Sequence, residues 1–292
     1  MRLLSIFLII VVNYNVENLF HPAHDSVAGE PKDDIEWTAD GERHWSYTRY
    51  YRKQENIARV LTNIGEWNGV DVVGLQEVEN ALCVKRLCYT LRRGEYDFVH
   101  YESPDRRGID VALIYKKSRV DTLRTRPIKV DLGEQTTRDI LYVCARVNKR
   151  DTVHFFVCHL PSQRGGKAES EWKRKAAKEV LQHAVDSVFN LQADAKIIVM
   201  GDMNSEPKDD LTGLINRMHG LNGTHKHQGR WICLDQFYTS PNIDGNVRIY
   251  DAEWIQEPDD KYLGLKPKRT YNGYHYQNGF SDHLPIVLNI NL

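Results

Sequence analysis

The sequence predicts a mixed α/β (α+β) fold in which helices lie outside two packed mixed β-sheets. Three observations carry this expectation. Short apolar runs bounded by turn residues recur along the chain, the pattern of buried strands. Amphipathic helical stretches separate some of these runs while hairpin-like pairs join others, so the order is mixed. No linker, repeat or low-complexity segment divides the 292 residues. One domain over 1–292 is expected, with 1–5 as a tail or signal remnant.

The first apolar run, Leu3 to Val12 behind Arg2, has the charged start and apolar centre of a secretion signal. It lacks a small-residue cleavage site and runs unbroken towards Asn15 and Glu17, so its later half is expected to be the first core strand. The run is too short to span a bilayer. The compartment stays open between cytoplasmic and exported. His21 to Trp45 is polar, rich in Pro, Gly and Asp, and reads as a long loop. Ser46 is placed as N-cap of a helix in which Ile57, Val60, Leu61 and Ile64 recur at helical spacing, with Gly65 as the stop. A strand over Val70–Leu75 follows, then a helix over Ala81–Leu91 and strands over Tyr96–His100 and Val111–Tyr115. Leu141–Val147 and Val153–His159 predict a hairpin turning at Asn148-Lys149-Arg150-Asp151. The clearest helix runs from Lys167 to Phe189, with Ala176, Val180, Ala184 and Val188 in one stripe. A strand over Lys196–Met200, a short helix near Asp210–Met218 and a mostly extended remainder complete the chain.

Composition narrows the function classes. Hydrophobic residues make up 41% and charged residues 27%, ordinary values for a soluble globular protein. Lys and Arg number 39 against 40 Asp and Glu. The basic surplus of a protein that coats long DNA through counterion release is missing. That argument leaves a small phosphorylated substrate untouched. The five cysteines contain no C-x-x-C pair and are odd in number, which speaks against a disulfide framework or a zinc site. Cys144 and Cys158 fall inside strand-like runs as small buried thiols. Asn222-Gly223-Thr224 is a glycosylation triplet by pattern alone.

Five apolar runs end on, or lead out of, polar clusters: Asn13 to Asn18, Gln76-Glu77, His159 to Ser162, Gly201 to Asn204, and Ser281-Asp282-His283. If these ends share one edge of the sheets, carboxylates, amides and imidazoles converge there. Glu77 ends a buried strand, where a carboxylate is costly unless paired or bound to a cation. A helix-capping or salt-bridged Glu is the competing reading. Asn15 with Glu17, and Asp202 with Asn204, alternate in strand fashion, so each pair can leave its strand on one side. Asp-x-Asn before Ser and Pro is also an ordinary turn. In Ser281-Asp282-His283 a carboxylate beside the His can hold one tautomer for proton transfer or phosphate binding, and Asp235 is a second acid able to orient it. His225-Lys226-His227, in a Gly/Asn-rich loop, reads as solvated. An oxygen-rich, cysteine-free ligand set favours Mg²⁺ or Mn²⁺ over zinc. The loop His21–Trp45 and the stretch Tyr271 to Tyr276 are expected to frame the substrate. There Tyr271 or Tyr274 either stacks on a base or simply packs, and Lys266, Lys268 and Arg269 meet phosphates or solvent.

Asn15-Val16-Glu17-Asn18, Leu75-Gln76-Glu77, Gly108 to Leu113, His159-Leu160-Pro161-Ser162, Gly201-Asp202-Met203-Asn204 and Ser281-Asp282-His283 follow one another in this order. In this the chain resembles the endonuclease/exonuclease/phosphatase superfamily, whose fold is deoxyribonuclease I-like, from about Val11 to Leu292. The resemblance implies a four-layer αββα sandwich, Mg²⁺ (or Mn²⁺) dependence and hydrolysis of a phosphoester. It implies Asn15 and Glu77 at the metal, with Glu17 in the same network and Asp282 supporting metal or His. Asp202 would position or deprotonate the attacking water and Asn204 would hold a phosphate oxygen. His283 would contact the scissile phosphate, oriented by Asp235, and His159 would bind phosphate or assist the leaving group. Arg107 and Ser162 would contact the substrate. Glu17 stands where some nuclease branches have Asp, a longer side chain that can shift the ligand set.

The leading expectation is a nuclease-like phosphodiesterase, with nucleic acid as the partner. A phosphatase or phospholipase on a small or lipid phosphate is the first alternative. A non-catalytic module binding sugar or nucleotide in the same cleft is the second, and it predicts no loss of function in Glu77→Ala. The sequence sets no oligomeric state and is compatible with a monomer.

Overall fold

The computed structural model of the chain describes residues 8–23, 35–163 and 166–292. The tail at 1–5 and the middle of the His21–Trp45 loop, His24 included, lie outside the described residues. In chain order the strands are β1 (Leu8–Leu19), β2 (Val72–Val78), β3 (Tyr96–His100), β4 (Asp110–Lys116), β5 (Val120–Ile128), β6 (Ile140–Val147), β7 (Asp151–His159), β8 (Lys196–Asp202) and β9 (Ile215–Asn216). They continue with β10 (His225–His227), β11 (Arg230–Ile232), β12 (Asp235–Thr239), β13 (Gly245–Ile249), β14 (Gln256–Pro258), β15 (Leu265–Pro267), β16 (Tyr271–Asn272), β17 (His275–Tyr276) and β18 (Ile286–Asn291). The helices are α1 (Tyr47–Gly65), α2 (Ala81–Arg92) and α3 (Lys167–Leu191).

Two six-stranded mixed sheets form the middle, in the orders β13-β18-β1-β2-β4-β3 and β5-β6-β7-β8-β12-β9. The pairs β1–β2 and β7–β8 are parallel. Strand alternation assigns each side chain to a layer. Ile9 and Val11 of β1 join Phe155 and Val157 of β7 and Ile198 and Met200 of β8 in the core between the sheets. Val12 and Tyr14 face the opposite way, onto Ile57, Val60 and Leu61 of α1 and Leu87 of α2. On the far side Phe156, Ile197 and Val199 pack against Leu181, Val185 and Val188 of α3. The layers therefore run helix, sheet, sheet, helix, as expected.

Local signals explain most boundaries. The Ser46 hydroxyl accepts the Arg49 N–H (3.4 Å) at the start of α1, and Asn80 Oδ1 accepts the Cys83 N–H (3.0 Å) at the start of α2, each satisfying a helix-end donor. Two departures stand out. β5 is an edge strand, mostly exposed and carrying Asp121, Arg124, Arg126 and Pro127, so it lacks the apolar alternation that marks a strand with a buried face. The helix expected near Asp210–Met218 is absent. Gly213 there takes φ 79°, and Ile215–Asn216 instead pair with β12. Among the described residues no helix is long and apolar enough to cross a membrane.

Two glycines let backbones approach near the future site. A Cβ on Gly74 would lie 2.8 Å from Met200 Sδ in the facing sheet. A Cβ on Gly201 would lie 2.0 Å from the carbonyl oxygen of Cys158, its parallel partner in β7. Backbone cannot yield as a side chain does, so Gly201→Ala is expected to lower stability by about 3 kcal/mol, read as a lower urea midpoint.

Candidate active site

The inward face of β1 changes from apolar to amide as it approaches the end of the sheet. Beyond Ile9 and Val11 come Asn13 and Asn15, both buried. Asn13 Oδ1 accepts from Gln76 Nε2 (2.8 Å) and its Nδ2 reaches Asp235 Oδ1 (3.4 Å). Asn15 Nδ2 donates to Asp202 Oδ2 (3.2 Å), across the gap between the two sheets. Strand register supplies the rest. Parallel pairing of β7 with β8 sets His159 beside Asp202, and antiparallel pairing of β8 with β12 sets Asp235 opposite Asp202.

Asp202 is the centre of the arrangement. Its Oδ1 accepts the Asn204 backbone N–H (2.9 Å). Its Oδ2 faces Asn15, His159 Nε2 at 3.7 Å and His283 Nε2 at 3.9 Å. Burial pushes the Asp202 carboxyl up to about 6; Asp235 and Glu77 add to the rise and His283 opposes it. His283 Nδ1 lies 2.7 Å from Asp235 Oδ2. Burial alone would disfavour an imidazolium, but the Asp235 charge and hydrogen bond, with Asp202 and Asp282, hold His283 well above its ordinary value.

A second carboxylate group adjoins the first. Glu17 accepts from the Thr270 N–H (2.6 Å) and from Arg269 Nε (3.2 Å), and Arg269 Nη2 reaches on to Asp282 Oδ2 (2.8 Å). Burial and the Asp282 charge push Glu17 up to about 7, against Lys53 and Arg269. Asp282, despite burial, is held down at about 2 by His283 and Arg269. Lys53 is buried beneath, donating to Thr270 Oγ1 and the Phe280 carbonyl, and burial lowers it to about 8. Glu77 Oε2 accepts the Asn18 N–H (3.0 Å). Arg107 Nη2 donates to Asn18 Oδ1 (2.8 Å) and stands 3.6 Å from Glu77 Oε1.

Glu17, Asn18, Glu77 and Asn204 all have positive φ, between 48° and 63°, and register shifts mark β1 after Asn15 and β2 after Gln76. Such bulges re-aim side chains at strand ends. They also end the expected alternation. Glu17 turns to Arg269 while Asn15 turns to Asp202, and Asn204 donates its amide to the Leu160 carbonyl (2.9 Å).

Of the sequence-predicted residues, the structure gathers Asn15, His159, Asp202, Asp235 and His283 in one contact network, with Glu17 and Asp282 joined through Arg269 and Glu77 through Asn18 and Arg107. Ser162, half-buried on the chain leaving β7, makes no hydrogen bond to this network among the described residues. Glu17, Glu77 and Asp282 supply carboxylate oxygens; burial first, and then the charge of Asp282 at Glu17 and of Asp235 and Glu77 at Asp202, lifts those two groups, and a bound divalent cation would oppose the rise. The donor set fits a hard ion. The Asn15 carbonyl oxygen, also expected at the metal, is engaged by the Glu17 N–H (3.0 Å).

Sequence reasoning missed His225 and Lys53 and left Arg269 undecided. His225 is half-buried rather than free in solvent. It bridges to His283 with ring centroids 4.9 Å apart, and burial with the His283 charge lowers it to about 4. His225, Asp282 and His283 bring potential ligand atoms within 4.8 Å of one another. The signal was there: Gln228-Gly229, both at positive φ, is a two-residue hairpin turn that turns β10 back on β11. Tyr271 is buried against Trp37 and Trp45, so its role is packing, whereas Tyr274 is exposed beside the Arg43 guanidinium.

Residues 10–292 match the profile of the Endonuclease/Exonuclease/phosphatase family, and the chain belongs to that family of phosphoester hydrolases. No curated protein matches it. Among solved structures, TDP2 from C. elegans superposes with a TM-score of 0.63 at 15% identity, over 98% of this chain and 76% of that one. A mannosyl-6-phosphatase from Bacteroides thetaiotaomicron gives 0.60 at 16%, over 97% and 100%. D. rerio TDP2 complexed with a single strand DNA product gives 0.57 at 17%, over 98% and 100%. These likenesses are of fold.

Replacing the Asp235 charge tests the electrostatics directly. In Asp235→Asn the ionisation midpoint of His283, followed by NMR, is expected to fall, because the largest influence raising it is gone.

Proposed function

We propose that the protein is a divalent-metal-dependent phosphoester hydrolase of the nuclease-like phosphodiesterase type. The observation that carries this reading is the convergence of Asn15, His159 and His283 on one carboxylate oxygen of Asp202. In the reaction, ionised Asp202 orients a water and accepts its proton, with Asn15 keeping the carboxylate in place. Cationic His283, positioned by Asp235, donates to a phosphoryl oxygen, and its charge opposes the charge that develops there. His159 binds the phosphate or assists the leaving group from the other side of Asp202. Asn204, Arg107 and Ser162 contact the substrate at the rim. Glu77, Asn15 and Asp282 would hold Mg²⁺ or Mn²⁺, with Glu17 supporting Asp282 through Arg269. A bound ion supplies Lewis-acid polarisation of a phosphoryl oxygen.

The fold shared with a protein crystallised with a single strand DNA product supports a phosphodiester substrate. The near balance of 39 basic and 40 acidic residues favours a second reading, a phosphatase or phospholipase on a small or lipid phosphate. Hydrolysis of plasmid DNA, single-stranded RNA, bis-p-nitrophenyl phosphate, an inositol polyphosphate and sphingomyelin separates the two. Turnover of a nucleic acid or the diester with Mg²⁺ is expected, abolished by EDTA and by Glu77→Ala. His283→Ala and Asp202→Asn are expected to cost roughly 10²–10⁴-fold in kcat. Metal-independent turnover, or full activity in these folded variants, would refute the proposal.

The pH profile follows from Asp202. A base must be ionised, and its folded value of about 6 lies above the ordinary 3.8, so activity should rise with pH through about 6. For stability the sign is opposite. Between those values the native state keeps a proton the unfolded chain has lost, so this group's contribution falls as pH rises. A kcat/KM profile compared with urea midpoints over the same range checks both.

A further inference from the structure

We propose a second metal site, for a first-row transition-metal divalent ion of the Zn²⁺ type, built from His100, Glu102 and Asp110 where β3 ends and β4 begins. The His100 side chain is only 2% exposed, and its Nε2 has no hydrogen-bond partner among the described residues. A buried ring nitrogen left in that state is costly. The nearest acid, Asp110 Oδ2, stands 3.6 Å away. That is beyond a good hydrogen bond, but close to the separation of two ligands on one ion. Ligands about 2.0–2.1 Å from a tetrahedral zinc lie roughly 3.3 Å apart. One ligand atom from each of His100, Glu102 and Asp110 lies within 4.8 Å of the other two.

The surroundings have the form of a supporting shell. The other oxygen of Asp110, Oδ1, accepts the Ser103 N–H (3.1 Å) and the Ser103 hydroxyl, which fixes the carboxylate with Oδ2 towards His100. Ligating carboxylates are held in this way. On its other side the Asp110 carboxylate, with Ser103 and Asp139, lines a cavity of about 10 Å³, room for about one water. One imidazole with carboxylates suits zinc better than magnesium. None of these groups belongs to the Asp202 network. They bracket the 101–109 loop, which carries Arg107 to Asn18 and Glu77. An ion bound here ties the two ends of that loop and so positions Arg107 at the rim of the active site.

The test uses the full chain carrying Glu77→Ala, His225→Ala and Asp282→Asn, which removes both the active-site carboxylates proposed for Mg²⁺ and the other imidazole–carboxylate group, titrated with Co²⁺ as a spectroscopic stand-in for Zn²⁺. One equivalent should bind with visible d–d absorption that Zn²⁺ displaces. Adding His100→Gln should abolish the band, and adding Glu102→Gln, at an exposed carboxylate, should weaken binding by about 10-fold or more. No Co²⁺ uptake by the parent overturns the proposal, as does unchanged uptake by a folded His100→Gln variant. Should that variant fail to fold, unchanged affinity in Glu102→Gln overturns it alone.

Discussion

The burial of the Asp202 carboxylate between the two sheets is the constraint on which the rest of the site depends. A charge removed from water is costly unless paired, and this one sits opposite another acid, Asp235, in antiparallel pairing. Like charges in that position repel. The arrangement holds because His283 lies between them, 2.7 Å from Asp235 and 3.9 Å from Asp202, while Asn15 reaches across from the other sheet. The imidazolium proposed to meet the phosphate is thus also what lets two acids occupy neighbouring strands. Chemistry and folding draw on the same charge.

Position comes from backbone geometry more than from the side chains themselves. Gly201 brings β8 against β7, so that Asp202 falls beside His159. The bulges after Asn15 and Gln76 bend the strand ends so that an N–H group points at a carboxylate, as Asn18 N–H does at Glu77. Positive φ at four non-glycine residues is a local cost. Conformations of this kind persist where surrounding contacts over-determine them, and here hydrogen bonds from the Glu17 N–H to Asn15, from the Asn204 N–H to Asp202 and from the Thr270 N–H to Glu17 do so.

The layers and most of the site were legible in the sequence because both depend on local pattern. Short continuous apolar runs marked β1, β2, β7 and β8, and the polar residues that end them marked the edge. Edge strand β5 was not legible, since exposed charges replace its alternation. The direction of Glu17 was not legible either, because a bulge reverses what alternation implies and nothing in Asn15-Val16-Glu17 announces one. Lys53 and Arg269 were hidden for another reason. Their roles rest on contacts with residues more than 200 positions away, to Thr270 (|i−j| 217) and Glu17 (|i−j| 252). His225 was misread through its composition: a Gly/Asn-rich setting suggests solvent, but the hairpin it belongs to folds over His283.

The pairing of charges indicates where further charge enters the site. Glu17 and Asp282 share Arg269 at 3.2 and 2.8 Å, and Asp235 holds His283 at 2.7 Å. Glu77 and Asp202 have only looser cationic neighbours, Arg107 at 3.6 Å and the two imidazoles at 3.7 and 3.9 Å. Coulomb energy falls with distance, so these two carboxylates keep the most uncompensated charge. In the proposed reaction they are the pair that gains most from a partner, a cation for Glu77 and the proton of the attacking water for Asp202. Burial is the main influence lifting Asp202 to about 6, whereas at Asp282 the charges of His283 and Arg269 outweigh burial and hold it near 2. Asp202, raised by burial and held by hydrogen bonds from the Asn15 side chain and the Asn204 N–H, has both the value and the fixed orientation that the proposed base requires.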